Sequence, residues 1–127
     1  MTIEECYRIL GGDYAEVSTR LPVPKLIEKF VIKFPEDGSF EKLCAGIRDN
    51  NRAEAFLAAH TLKGVCQNLG FGTLLTSVEK LTETLRPEMS DIPENAEKLL
   101  EDVKRDHEKT VAAICLYRKA LCKETKE

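Results

Sequence analysis

The sequence predicts an all-α fold, an antiparallel four-helix bundle with extra short helices at the N-terminal end. Three observations carry that prediction. Apolar residues recur at three-and-four spacing through four substantial segments, and no stretch alternates like a strand for more than a few residues. The composition, rich in Leu, Ala, Glu and Lys with no Trp and 3 Tyr, favours helix before any pattern is read.

Taken in order, Thr2 with Glu5 three residues later forms a capping-box pattern that opens a short helix, and the Gly11-Gly12 pair closes it. Asp13 can cap a second short helix through Leu21, where Pro22 and Pro24 interrupt. Val23 to Phe34 places Leu26, Ile27, Phe30, Val31 and Phe34 at helical spacing, and Pro35 is expected to end that segment. A helix starting at Ser39 turns Phe40, Leu43, Cys44 and Ile47 inward before the Asp49-Asn50-Asn51 break. From Arg52 to Leu69 the chain is helix-forming except for one glycine, and Gly70 is the stop signal. Thr73 is expected to cap the next helix, which runs to about Leu85 on a stripe of Leu74, Leu75, Val78, Leu81 and Leu85.

Pro87 to Pro93 reads as the longest loop. A last helix to about Leu121 carries Leu99, Leu100, Val103, Val111, Ile114 and Leu121 inward, and at ~1.5 Å per residue it would be about 40 Å long. The closing run Lys119 to Glu127 mixes signs and reads as a frayed, solvated end. No repeat or linker divides the chain, so residues 1–127 are expected to form one domain with its core over about 14–121. Beginning at Met1 and closing on a polar tail favours a short independent protein.

Charge and size exclude several function classes. With Lys+Arg 19 against Asp+Glu 22 the net charge is −3, which gives no global attraction to nucleic acid or to an anionic membrane. No apolar run approaches the ~18 residues of a membrane span, and no signal peptide is present, so a cytoplasmic protein is expected. The 5 cysteines, Cys6, Cys44, Cys66, Cys115 and Cys122, are odd in number and never spaced C-x-x-C, which reads as reduced thiols. Cys115 and Cys122 share a helix face and are expected to pack. No G-x-x-x-x-G-K-[ST] motif or Gly-rich nucleotide loop occurs, so a self-contained ATP-using kinase is not expected.

Placing Arg52–Leu69 on a helical wheel at about 100° per residue gathers Ala55, Ala58, Leu62, Val65, Cys66 and Leu69 on one apolar face. His60 points the opposite way, in company with Ala53, Phe56, Leu57, Lys63, Gly64 and Gln67. That outer face is unusual. Gly64 stands mid-helix, where glycine costs about 1 kcal/mol relative to alanine. Lys63 puts an ammonium one turn from the imidazole, and Phe56 and Leu57 put apolar surface where solvent is expected. A solvated imidazole, with an ordinary pKa of about 6.5, is mostly neutral at pH 7 and can attack phosphorus. Lys63 can neutralise charge on the phosphoryl group, and the missing Gly64 side chain lets a partner's loop come close.

The run Ala59-His60-Thr61-Leu62-Lys63-Gly64-Val65-Cys66-Gln67-Asn68-Leu69-Gly70-Phe71 resembles the signature of histidine-containing phosphotransfer (HPt) domains of two-component phosphorelays, in which Lys-Gly follows the His by three and four residues and a second Gly closes the stretch. The surrounding helix layout is similar to the family over most of the chain. The resemblance implies a four-helix bundle that accepts a phosphoryl group on His60 from one receiver-domain aspartate and passes it to another. It implies Lys63 as the electrostatic neighbour of the resulting phosphohistidine and Gly64 as the clearance position, with Gln67, Phe56 and Leu57 on the docking face. Its partners would be response-regulator receiver domains and, through them, a sensor histidine kinase; the chain itself would bind no cofactor, the receiver supplying Mg²⁺, and would be a monomer. Family members often carry on the next helix a Gln that orients the imidazole, and the comparable position here is Thr82, with Cys66 the small residue after Lys-Gly.

Other readings fit the same residues. A non-catalytic helical interaction module would use the same face with His60 incidental, and a fragment of a dimeric histidine kinase would pair its helix hairpin with another chain. His107 falls near the apolar stripe of the last helix and reads as a satisfied, partly buried residue, because no His, Asp or Cys stands at i,i+4 ligand spacing beside it. Cys66, about 120° around the helix from His60, makes a His/Cys metal site there improbable, and none is expected.

Overall fold

The computed structural model describes residues 1–87 and 91–126. Among the described residues seven α-helices follow one another: α1 Ile3–Leu10, α2 Tyr14–Arg20, α3 Pro24–Lys33, α4 Ser39–Arg48, α5 Arg52–Leu69, α6 Gly72–Thr84 and α7 Ala96–Lys126, with a 3₁₀ turn Phe34–Glu36 between α3 and α4. Helices α4, α5, α6 and α7 pack against one another in chain order as an antiparallel four-helix bundle, and α1 and α3 lean on α7 from outside. No strand is present among the described residues.

Local chemistry explains most of the boundaries. The Thr2 hydroxyl accepts from the Glu5 amide at 3.1 Å, and the Asp13 carboxylate accepts from the Glu16 amide at 3.1 Å, so both short helices have side-chain caps. Pro35 does not stop the chain abruptly. It continues into the 3₁₀ turn, where its missing N–H is tolerated, and the Asp37 carboxylate then accepts from the Ser39 amide at 2.9 Å to start α4. Thr73 is not the cap of α6. That helix begins at Gly72 behind Phe71, which offers no side-chain cap, and the Thr73 hydroxyl donates instead to the Gly11 carbonyl at 3.1 Å. The last helix runs beyond Leu121 to Lys126, so its 31 residues extend about 46 Å. The expected loop Pro87 to Pro93 includes residues 88–90, which lie outside the described residues, as does Glu127 at the expected frayed end.

The core sits between all four bundle helices. Leu43, Leu62, Leu74, Val78, Leu81, Leu85, Val103 and Ile114 are fully buried, and Cys6, Tyr7 and Leu10 of α1 join the same cluster. Gly46 shows why α4 and α5 come so close: a Cβ there would stand 2.7 Å from the Ala55 amide nitrogen. On α3 the two apolar stripes part company. Ile27, Val31 and Phe34 are buried, while Leu26 and Phe30 remain exposed.

All five cysteines are free. Cys6 is buried and donates weakly to the Ala113 carbonyl at 3.7 Å, and burial pushes its thiol up to about 11. Cys115 is half-buried as a packing residue would be, but Cys122 is exposed, because one turn of α7 beyond Tyr117 the bundle no longer covers that face. No helix among the described residues is long and apolar enough to cross a membrane.

Candidate functional site

Every part of the candidate site is held by α5, so its rigidity comes first. At the N-terminus the Asn51 side chain accepts from the Glu54 amide at 3.2 Å. Arg52 then ties this end to the rest of the bundle, donating to the carbonyls of Leu85 at 3.3 Å, Thr84 at 3.2 Å and Asp91 at 2.7 Å. The C-terminus is closed with equal completeness. The Cys66 carbonyl takes the Phe71 amide at 3.0 Å, Arg20 donates to the carbonyls of Gln67 at 2.7 Å and Asn68 at 3.1 Å, and the Tyr7 hydroxyl donates to the Leu69 carbonyl at 2.6 Å. None of the last four carbonyls of α5 is left orphaned. Gly70 makes this closure possible with a left-handed φ of 67°, and its own carbonyl accepts the Asp13 amide at 2.9 Å.

Helices α1 and α2 therefore seat the C-terminal end of the histidine-bearing helix. Tyr7 is the main bolt, buried edge-on to Tyr14 with ring centroids 5.4 Å apart and tilted against Phe71 at 5.8 Å. Tyr7→Phe is expected to lower stability by about 1–2 kcal/mol, the effect of leaving the buried Leu69 carbonyl without its donor. Urea unfolding followed by circular dichroism measures it, and an unchanged midpoint would contradict this account of the hydroxyl.

On this fixed rod His60 is exposed and faces away from the core, while Ala55, Ala58, Ala59, Leu62, Cys66 and Leu69 face inward. Among the described residues neither imidazole nitrogen has a hydrogen-bond partner. The ring leans back over the preceding turn, as long side chains on helices do, and stacks on Phe56 at 5.9 Å between centroids and 25° between planes. Lys63 is half-exposed and makes no ion pair among the described residues. It lies on the α6 flank: hydrogen bonds and charge from Arg86, with a smaller effect of Lys63, hold the Glu83 carboxyl below its ordinary range.

Gly64 occupies the other flank, and a Cβ built on it would meet nothing within 4 Å. That separates it from Gly46 and Gly70, whose neighbours leave no room for a side chain. Leu57, 61% exposed, is the most exposed large apolar side chain among the described residues. Gln67 is exposed too, but it stands two turns ahead of His60, roughly 10 Å along the axis, while the imidazole leans the other way. The structure thus brings Phe56 and His60 into contact and leaves Lys63, Gly64 and Leu57 around them; it does not bring Gln67 to the ring.

Thr82 is buried, and its hydroxyl donates to the Val78 carbonyl within its own helix at 2.7 Å, so it gives His60 no hydrogen bond. Cys66 is likewise a core residue, with burial pushing its thiol up to about 12. Among the described residues no three His, Cys, Asp or Glu side chains come together as a metal ligand set would.

One feature near the site is missing from the sequence expectations. An apolar groove of about 580 Å³ runs between α3 and the C-terminal half of α5, lined by Phe30, Phe34, Val65 and Leu69 and rimmed by Arg20 and Lys33. It reaches Asn68, which lies one turn beyond Gly64 on the same flank. The signal was present in α3: apolar residues at both 26/30 and 27/31/34 make a band too wide for one buried face.

His107 is half-buried against the edge of Phe40, with centroids 4.0 Å apart, and nearer the α3 end against Phe34 at 5.8 Å. Burial lowers its pKa from the ordinary 6.5, outweighing the opposite pull of Glu41, Asp37 and Glu108. A histidine whose folded pKa is depressed favours the folded state while neutral, so its stabilisation is complete above pH 6.5 and is lost as pH falls through the folded value. The urea midpoint is therefore expected to drop between about pH 7 and 5, and His107→Leu should flatten that slope. An equal slope in the variant would assign the pH dependence to other groups.

Comparison with known families finds that a family model described as Hpt domain matches residues 25–112, a span that begins in α3 and ends within α7. Comparisons with curated proteins and with solved structures return no match.

Proposed function

This chain belongs to the Hpt domain family, whose members carry phosphoryl groups in phosphorelays with response-regulator receivers and kinases, and from that premise we propose that His60 is the residue that carries the group. The observation that supports this most directly is an imidazole exposed on a fully capped helix, with neither nitrogen hydrogen-bonded among the described residues and a glycine beside it whose side-chain direction is open.

In the proposed step a neutral imidazole nitrogen donates its lone pair to the phosphorus of an aspartyl phosphate on a receiver domain. The N–P bond forms as the acyl P–O bond breaks, and the electron pair leaves with the aspartate carboxylate. The ring, now positively charged, can release the proton of its second nitrogen to water. Passage to a second receiver is the reverse. Lys63, which makes no ion pair among the described residues, offsets the phosphoryl charge. Gly64 lets the receiver's loops approach, and Phe56, Leu57 and Gln67 complete the face they meet. The Mg²⁺ and the acidic pocket belong to the receiver, so this chain contributes a positioned nucleophile.

The same reading makes residues 1–127 one domain that acts as a monomer in the cytoplasm, without nucleic acid or membrane as partner. The exposed Leu57 and the groove beside α5 would equally serve a purely non-catalytic interaction module. Incubation with a phosphorylated receiver domain separates the two: a carrier acquires acid-labile, alkali-stable phosphate, and a docking module binds without acquiring any.

A further inference from the structure

In this chain the imidazole must be oriented by something other than the hydrogen bond an α6 side chain could give. Thr82 is 4% exposed and its hydroxyl is committed to the Val78 carbonyl at 2.7 Å. Gln67 is on the wrong side of the ring, two turns toward the C-terminus. Among the described residues the aromatic ring that stacks on the His60 imidazole is the phenyl of Phe56.

We infer that Phe56 is a positioning residue for phosphoryl transfer, holding the His60 imidazole by offset stacking so that its nitrogen-bearing edge points away from the helix toward the incoming phosphorus. The inference rests on His60 being the phosphoryl carrier. Three physical points support it.

The first is conformational. The torsion that sets the plane of an imidazole is broad, so a solvated histidine presents its lone pair over a wide range of tilts. In-line attack needs that lone pair within a narrow cone, and poor alignment of a reacting atom lowers rate steeply. A flat neighbour at 5.9 Å and 25° restricts the tilt without occupying either ring nitrogen with a hydrogen bond. The second is that Phe56 can hold still. It is half-buried and packs against the core, and it stands one turn after Arg52, which is clamped to three carbonyls of the α6 end and the following loop. The third is electronic. As the N–P bond forms the imidazole becomes cationic, and at 5.9 Å between centroids it lies within the range of about 6 Å over which a phenyl ring attracts a cation. The same contact that orients the neutral ring stabilises it as it acquires charge.

The test measures transfer from a phosphorylated receiver domain by rapid quench over a range of receiver concentrations, for the wild-type chain and for Phe56→Ala, Phe56→Leu and Phe56→Trp. Circular dichroism of each variant confirms the fold, and His60→Gln serves as the unlabelled control. The expected result is a kcat about 5- to 10-fold lower in Phe56→Ala with KM little changed, no recovery in Phe56→Leu, and recovery in Phe56→Trp. Labelling by phosphoramidate, a small donor that needs no docking surface, should fall in the same order. The carbon-bound ring protons of His60, shifted upfield by the Phe56 ring, should move downfield in Phe56→Ala and Phe56→Leu alone.

A rise in KM with kcat unchanged would make Phe56 a docking contact and overturn the inference. So would recovery by leucine equal to that by tryptophan, which would mean that bulk and not stacking matters. If the wild-type chain is labelled through His60 but Phe56→Ala transfers equally fast, only this inference fails. If His60→Gln is still labelled, or the wild type takes no phosphate, the carrier reading itself fails with it.

Discussion

His60→Gln is expected to remove all acid-labile phosphate acquired from a phosphorylated receiver domain while leaving the helical content and the urea midpoint close to those of the wild type. The side chain is exposed and has no hydrogen-bond partner among the described residues, so its replacement removes no buried contact and leaves no orphaned group. Surface changes of this kind usually move stability by no more than about 0.5 kcal/mol. The effect on chemistry is total by comparison, because a carboxamide has no basic nitrogen with which to form the phosphoramidate bond. His107, the second histidine, serves as the internal control. It is half-buried between Phe40 and Phe34, so it is not placed to meet a receiver, and His107→Leu should be labelled normally. Labelling that survives His60→Gln, with the phosphate traced to His107 or elsewhere, would refute the assignment.

The Gly64 series is expected to move stability and activity in opposite directions. A Cβ at Gly64 meets nothing within 4 Å, and the residue has ordinary helical backbone in the middle of α5. Gly64→Ala should therefore stabilise the protein by about 1 kcal/mol, the difference in helix propensity alone. A protein that forgoes this gain without any internal packing reason is keeping the space for something outside itself. Gly64→Gln fills that space with a side chain that must be pushed aside on docking, and transfer from a receiver should slow by roughly 100-fold, the scale on which displacement of reacting atoms by about 1 Å acts. Phosphoramidate labelling, which requires no close protein partner, should be nearly unaffected. Gln at this position with undiminished receiver transfer would show that the glycine clears nothing.

The contrast with Gly46 is instructive, since both glycines interrupt helices and glycine costs each helix the same propensity. At Gly46 the Ala55 backbone is 2.7 Å from a hypothetical Cβ, so that glycine serves the contact between α4 and α5. Periodicity places Gly64 on the outward face; only the packing shows that Gly46 has no room for a side chain while Gly64 has open space.

Much of the fold was legible because it is written in short-range chemistry. The span of α5, the caps at Thr2, Asp13 and Gly70, and the buried stripes of α6 and α7 depend on residues within a turn or two of one another, and periodicity reads them directly. The expectations that needed correction lie where a distant segment competes with the local signal. Thr73 is a good cap by type, yet its hydroxyl goes to Gly11, 62 residues away in sequence. Cys122 matches the helical spacing of a packing residue, but the bundle has ended on that face of α7.

The candidate site divides in the same way. That His60, Lys63 and Gly64 share an outward face follows from the 100° step of the helix and the apolar residues opposite, and the sequence by itself determined it. What the tertiary structure decided is how that face is held and tuned. Tyr7 and Arg20 reach across the chain to the last carbonyls of α5, Thr82 turns its hydroxyl into its own helix, α3 leaves Phe30 uncovered beside a groove, and the imidazole settles on Phe56. Each of these depends on a rotamer or on a contact between residues far apart in sequence, and helical periodicity constrains neither: it fixes the direction of a Cα–Cβ bond, and the choice of partner belongs to whatever the fold has brought within reach.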